Sequence, residues 1–280
     1  MGSSQHLSVS PIAGALGAEV DGVQLAHLNE AAFTEVQAAF LERQVLLFRD
    51  QELTRDQQRA FARRFGTLNL HPFDQPLKDE GYPEFVVFQS DQQYPYVAQA
   101  WHADLTCLPH PPLGSVLRCV VAPALGGDTM WVSVHAAYEA LSDRMQRLLP
   151  GLIAIHDTTR VFGLSAYRGE EISDSDAHRL RSMSAEHPVV RTHPETHRKG
   201  LFVNSHFTAS IRSMKSAESV ALLNFLYRHI ELPDFTCRFR WQKNSVAMWD
   251  NRCTQHRAVA DNSAAERRLE RVTINGDRPF

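Results

Sequence analysis

The sequence predicts a mainly β fold with flanking helices, either a β-sandwich or a jelly roll. Three observations carry this reading. After Gly66, short β-rich runs recur at 85–89, 114–122, 128–134, 199–204, 235–241, 245–250 and 271–275, rich in the branched and aromatic residues that suit a pleated surface. Helical patterns interrupt them at about 135–148 and 215–230. The 280 residues, 43% hydrophobic and 22% charged, suffice for a sizeable core, and no linker divides the chain, so a single domain over 1–280 is expected.

Taken in order, the N-terminal MGSSQHLSVSPIAG has neither a positive start nor an apolar stretch, so it does not read as a signal peptide. Residues 30–43 set Phe33, Val36, Phe40 and Leu41 on one helical face. VLLFR at 45–49 is an apolar run suited to a buried strand. A second helix is expected from Thr54, where Thr54 and Gln57 form a capping box ahead of Phe61 and Phe65. Gly66 should end it. The polar segment 163–187 has little periodicity and reads as a long loop or mobile insert.

A net charge of −3 gives no basic field to attract nucleic acid. No stretch approaches the ~18 consecutive apolar residues of a membrane span. Cys107, Cys119, Cys237 and Cys253 show no C-x-x-C pairing, so reduced, buried thiols are expected. The cytoplasm is the expected location, and a homo-oligomer the expected assembly.

The chemistry starts at WHADLT. His102 and Asp104 are two apart, so on a strand both point to one face while Ala103 faces away. His256, in WDNRCTQHRAV, lies 152 positions beyond Asp104 and just after the apolar run 245–249. Two histidines and one carboxylate form the facial triad of non-haem Fe(II) oxygenases, although zinc hydrolases use similar ligands. The cationic segment ERRLERVTINGDRP favours the oxygenase. Arg267 and Arg271 share a strand face, and Arg268 points to the other. A guanidinium suits the distal carboxylate of 2-oxoglutarate, and a second suits an anionic substrate. Val272 and Ile274 then face away from the pocket, which requires that helices or another sheet cover them.

With these residues in place, the chain resembles the taurine / 2,4-dichlorophenoxyacetate dioxygenase family of Fe(II)- and 2-oxoglutarate-dependent enzymes. The similarity runs through GALGAEVDGVQL, WHADLT, GGDTMW followed by AAYEALS, HPVVRTHPET, LFVN, WDNRCTQHRAV and RRLERVTINGDRP, in that order. The resemblance implies a double-stranded β-helix (jelly-roll) core and iron held by His102, Asp104 and His256, the catalytic centre. Thr129, 27 beyond His102, and Arg267, 11 beyond His256, match the family's 2-oxoglutarate contacts. Arg271, His71 and Phe207 match residues that meet the substrate. A one-residue shift would exchange Arg267 with Arg268, and strand alternation favours Arg267. His71 also reads as a loop residue capping a turn before Pro72, and Phe207 as a core phenylalanine.

The implied cofactors are Fe(II), 2-oxoglutarate and O2, with succinate and CO2 released. Ala98 stands where the taurine enzyme has asparagine, while TTRVFG and FTCRFRW look like the aryloxyalkanoate-cleaving branch. A small organic anion with an apolar body is therefore the expected substrate: a sulfonate, alkyl sulfate or aryloxyalkanoate, hydroxylated beside a heteroatom so that the product fragments. Asp104 favours hydroxylation over halogenation, since halogenating members lack the carboxylate. The competing readings are a metal-dependent hydrolase on the same scaffold, a non-catalytic jelly-roll binding module, and a biosynthetic oxygenase acting on a natural product.

Overall fold

The computed structural model describes residues 7–71, 76–92, 100–159, 183–262 and 264–280. Its centre is a seven-stranded sheet. Strands β1 (Ser8–Pro11), β2 (Ala18–Asp21), β3 (Val45–Phe48), β4 (Phe85–Ser90), β5 (Gly114–Val121), β13 (Val246–Asp250) and β15 (Arg267–Ile274) lie in the order β1-β2-β3-β13-β5-β15-β4. Only β2 and β3 pair in parallel; the other neighbours are antiparallel.

Strand alternation decides what each face covers. Leu46, Phe48, Val116, Val246, Met248, Val272 and Ile274 pack with Val36 and Phe40 of helix α1 (Glu30–Arg43) and Phe61 and Ala62 of helix α2 (Arg55–Arg63). This is the cover that Val272 and Ile274 require. Asn29 caps α1 by accepting from the Ala32 N–H at 2.9 Å. The Thr54–Gln57 capping box starts α2 as expected, and α2 stops at Arg63, just short of Gly66.

The opposite face carries Leu47, Leu117, Ala247, Trp249 and Leu269. These meet Trp131, Cys237 and Phe239 from a second, three-stranded sheet ordered β12 (Thr236–Phe239), β6 (Thr129–Ser133) and β14 (Thr254–Ala258). Its own far side is covered by α3 (Val134–Glu139) and α5 (Ser216–Ile230), through Ala137, Tyr138, Leu223, Leu226 and Ile230.

Several expectations need correction. The helix expected at about 135–148 is two helices, α3 and α4 (Asp143–Leu148), because the Ser142 side chain caps a new start by accepting from the Met145 N–H. Strands β7 (Ile153–Asp157), β8 (Ser184–Pro188), β9 (Val190–Thr192), β11 (Thr208–Ile211) and β14 were not anticipated, nor were β1 and β2. All are short, and several alternate polar residues with buried histidines, which blurs their period. Strand β10 (Lys199–Leu201) covers only the first part of the run expected at 199–204. The end of the expected loop 163–187 is strand β8, paired with β7; residues 163–182 lie outside the described residues. All four cysteines are buried and unbonded, and burial pushes the Cys107 and Cys237 thiols up to about 12.

The helix face of β15 holds a buried charge cluster. Glu270 accepts from Arg55 at 2.9 and 3.1 Å, Arg118 at 2.8 Å and Arg268 at 3.1 and 3.3 Å. Burial raises the Glu270 carboxyl, but the three guanidinium groups outweigh it and bring it down to about 2. A depressed carboxylate stabilises the fold fully above its ordinary pKa of 4.5, and this contribution fades as pH falls through about 2. Glu270→Gln should therefore cost ~3 kcal/mol at neutral pH, roughly 5–10 °C in Tm. Thermal scans should show the gap to wild type closing between pH 5 and 2.5; a gap independent of pH would contradict this origin.

Candidate active site

A cavity of about 130 Å³ opens between the two sheets. The large sheet contributes Phe88, Leu117, Trp249, Arg267, Leu269 and Arg271. The small sheet contributes Thr129, His256 and Ala258, and the segment between β4 and β5 brings His102 and Asp104. Residues 267, 269 and 271 alternate inward along β15, while Arg268 turns outward to Glu270.

His102 and Asp104 do not sit on a regular strand as expected. His102 makes an isolated antiparallel bridge with His256, with N–H to O distances of 3.1 and 2.8 Å. The chain then turns, and Leu105 takes a φ of 49°. The two side chains still converge with His256. Asp104 Oδ1 stands 3.8 Å from His102 Nε2 and 3.9 Å from His256 Nε2, and the imidazole centroids are 4.3 Å apart.

Burial holds both imidazoles down, His256 to about 3, where the neighbouring His102 adds to the effect. Both are neutral at pH 7. His102 Nδ1 lies 2.9 Å from the Ala100 carbonyl, so that nitrogen carries the proton and Nε2 keeps its lone pair for the site. Burial alone would raise Asp104, but the Arg271 guanidinium, donating from Nη1 at 2.9 and 3.0 Å, holds the carboxyl well below the usual range. Ser115 Oγ stands 3.5 Å from the same carboxylate.

The donor set fits a divalent metal. Its three ligand atoms lie within 4.8 Å of one another, and a first-row ion with bonds of about 2.0–2.2 Å reaches donors up to roughly 4 Å apart. Two neutral nitrogens and one carboxylate oxygen on one side leave the other side open.

A second cluster, His193, Asp250 and Cys253, also brings candidate ligand atoms together. There His193 has no lone pair to offer, because its Nδ1 accepts from the Glu195 and Thr196 N–H groups at 3.2 and 3.1 Å and its Nε2 donates to the Asp250 carboxylate at 3.0 Å. Burial keeps the Cys253 thiol protonated. That cluster braces a turn.

Thr129 opens β6, and its hydroxyl accepts from Trp241 Nε1 at 3.0 Å, leaving its own proton to donate. Gly127, at φ +68°, lies beside Arg267, whose Cδ would stand 3.2 Å from a Cβ at that position; the GGDT glycine thus makes room for the arginine. Arg271 also lies over the Phe88 ring, 4.8 Å from its centroid. His71 is half-buried outside the cavity lining. Burial and the Arg271 charge lower it to about 4, with Asp104 opposing, which puts it within electrostatic reach of both.

Phe207 does not line the cavity. It is buried edge-on against His206 at 4.7 Å, and His206 in turn lies 5.1 Å from His102. Ala98 lies outside the described residues.

Sequence reasoning missed several neighbours. Phe88 and Leu117 face the cavity only because β4 and β5 flank β15, a pairing the sequence does not display. Thr106, the last residue of WHADLT, is locked from behind by His156 Nδ1 at 3.0 Å and Asn204 Nδ2 at 3.1 Å. Burial lowers His156 to about 3, so it is neutral where it meets the Thr106 hydroxyl.

Residues 8–273 match the model of the "Taurine catabolism dioxygenase TauD, TfdA family". The chain belongs to this family. An alpha-ketoglutarate-dependent sulfate ester dioxygenase of Pseudomonas putida is 36% identical, covering 98% of this chain and 91% of its own. A (S)-phenoxypropionate/alpha-ketoglutarate-dioxygenase of Sphingobium herbicidovorans is 33% identical over 98% of this chain and 96% of its own. The crystal structure of a taurine dioxygenase from Burkholderia xenovorans superposes with a TM-score of 0.84 at 36% identity, covering 98% of this chain and 91% of that one.

Proposed function

We propose that this TauD/TfdA-family protein is an Fe(II)- and 2-oxoglutarate-dependent dioxygenase that hydroxylates a small organic anion beside a heteroatom, so that the product fragments. One observation carries the reading: His102, Asp104 and His256 converge in the lining of a cavity that also holds Arg267, Thr129 and Arg271. A hydrolase using the same ligands has no need of a buried arginine opposite a threonine.

His102, Asp104 and His256 would hold the iron, which when bound couples O2 and 2-oxoglutarate to substrate hydroxylation with release of succinate and CO2. Arg267 takes the distal carboxylate of 2-oxoglutarate in a charge-assisted pair, and the Thr129 hydroxyl donates to that carboxylate from the facing sheet. The low pKa values of His102 and His256 keep both lone pairs available at neutral pH. Phe88, Leu117 and Leu269 give the cavity apolar walls that limit water around the reacting atoms.

Arg271 and His71 serve the anionic head of the substrate, and Phe207 backs His206, which lies beside His102. The apolar walls next to Arg271 suit a sulfonate, alkyl sulfate or aryloxyalkanoate, in line with the substrates named for the Pseudomonas and Sphingobium relatives.

The finer fold assignment is a double-stranded β-helix in a single domain over 1–280, its two walls being the seven-stranded and three-stranded sheets. No helix among the described residues is long and apolar enough to cross a membrane; a cytoplasmic homo-oligomer is the setting we assign.

Incubation with 2-oxoglutarate, Fe(II), ascorbate and a panel of these anions tests the substrate class. Succinate should appear together with sulfite, sulfate or a phenol for at least one class. Stable hydroxylation of a large neutral natural product, with none of the anions turned over, would favour the biosynthetic alternative.

A further inference from the structure

We propose that Asn251 is a positioning residue that aims the Asp104 carboxylate by holding the peptide groups on both sides of its Cα. This rests on the metal-site reading above. The pairing between the two ligand segments stops at the His102–His256 bridge. Continued in the same register, Thr254 would lie opposite Asp104. The chain instead turns out of line, and the next residue, Leu105, takes a left-handed φ of 49°. A leucine in that region is strained and persists only where its surroundings fix it.

Asp104 is 5% exposed, so its own N–H and C=O need partners inside the protein. The Asn251 amide supplies both in place of the lost strand neighbour. Its Oδ1 accepts from the Asp104 N–H at 2.7 Å, and its Nδ2 donates to the Asp104 carbonyl at 3.1 Å and to the Pro112 carbonyl at 3.1 Å. The backbone N–H of Asn251 donates to the Leu113 carbonyl at 2.8 Å, tying the turn to the entry of β5. Only an amide of this length offers an acceptor and two donors at once; aspartate has no donor, and glutamine is one methylene longer.

Asn251 is itself fixed. It is 1% exposed, and it follows Asp250, whose carboxylate is gripped by Arg252 and His193. The same short turn leads five residues later to His256. One buried turn therefore sets the position of the second imidazole and the backbone of the carboxylate ligand. Arg271 holds the Asp104 side chain, and Asn251 holds its main chain.

The test is Co(II) titration of the full chain, followed by the visible d–d absorption of the bound ion, for wild type, Asn251→Ala and Asn251→Leu. Leucine preserves the bulk, which separates loss of the amide from creation of a void. Circular dichroism reports the folded state of each. Wild type should bind one Co(II), and His102→Ala should abolish binding. Both Asn251 variants should remain folded, bind Co(II) roughly 10- to 100-fold more weakly and show a shifted band, because the carboxylate meets the ion at a different angle. A lowered Tm with unchanged affinity and spectrum would mean a structural role and overturn the proposal, as would failure of both variants to fold. If wild type itself binds no Co(II), the metal-site reading falls and takes this inference with it.

Discussion

Asp104→Ala is expected to cut succinate formation by roughly 10²- to 10⁴-fold, with no recovery at high Fe(II). Asp104 is the only anion among the three converging donors, and its carboxylate lies between two imidazoles that burial keeps neutral. Removing it leaves the ion two neutral ligands and nothing to offset its charge in a buried site. A buried charge left without its partner costs on the order of 3–5 kcal/mol, and each 1.36 kcal/mol is about tenfold. His102→Ala should lose as much. Asp104→Ala also strands the Arg271 guanidinium, so Tm should drop and the assay belongs well below the onset of unfolding. Turnover within tenfold of wild type in either variant would mean that the three residues are not the metal ligands.

The second large effect separates two adjacent arginines. Arg267→Ala should raise the 2-oxoglutarate concentration needed for half-maximal rate by roughly 100-fold, the loss of a charge-assisted bidentate pair. Arg268→Ala should leave it unchanged and lower only thermal stability. Arg267 lines the cavity beside Leu269 and Arg271, whereas Arg268 reaches Glu270 on the helix side of the sheet. Steady-state curves against 2-oxoglutarate decide the matter. An exchange of the two phenotypes would put the co-substrate on the other face of β15.

What was legible in the sequence followed from period. Alternation along RRLERVTI separates Arg267, Leu269 and Arg271 from Arg268, Glu270, Val272 and Ile274, and the structure sorts them the same way. The apolar spacing over 30–43 marked α1, and the Thr54–Gln57 capping box fixed the start of α2, because both signals are local. Local pattern failed at the HAD segment, which looks like a strand but is a single bridge followed by a turn. The turn depends on Asn251, 147 residues away in the chain. A side chain that satisfies a distant backbone leaves no periodic trace. The short strands β7, β8, β9 and β11 were hidden for a related reason, since buried polar residues such as His156, His187 and Thr208 occupy inward positions where an alternation pattern looks for aliphatics. Phe207 lies outside the cavity lining among the described residues, with its ring against His206.

The most direct measurement is the stoichiometry of succinate against O2 consumed, with Fe(II) or Zn(II) as the only added metal and an accepted anion as substrate. The dioxygenase reading requires one succinate per O2 with Fe(II) and none with Zn(II). Cleavage of the anion supported by Zn(II), without O2 uptake and without succinate, would contradict it and identify the site as hydrolytic.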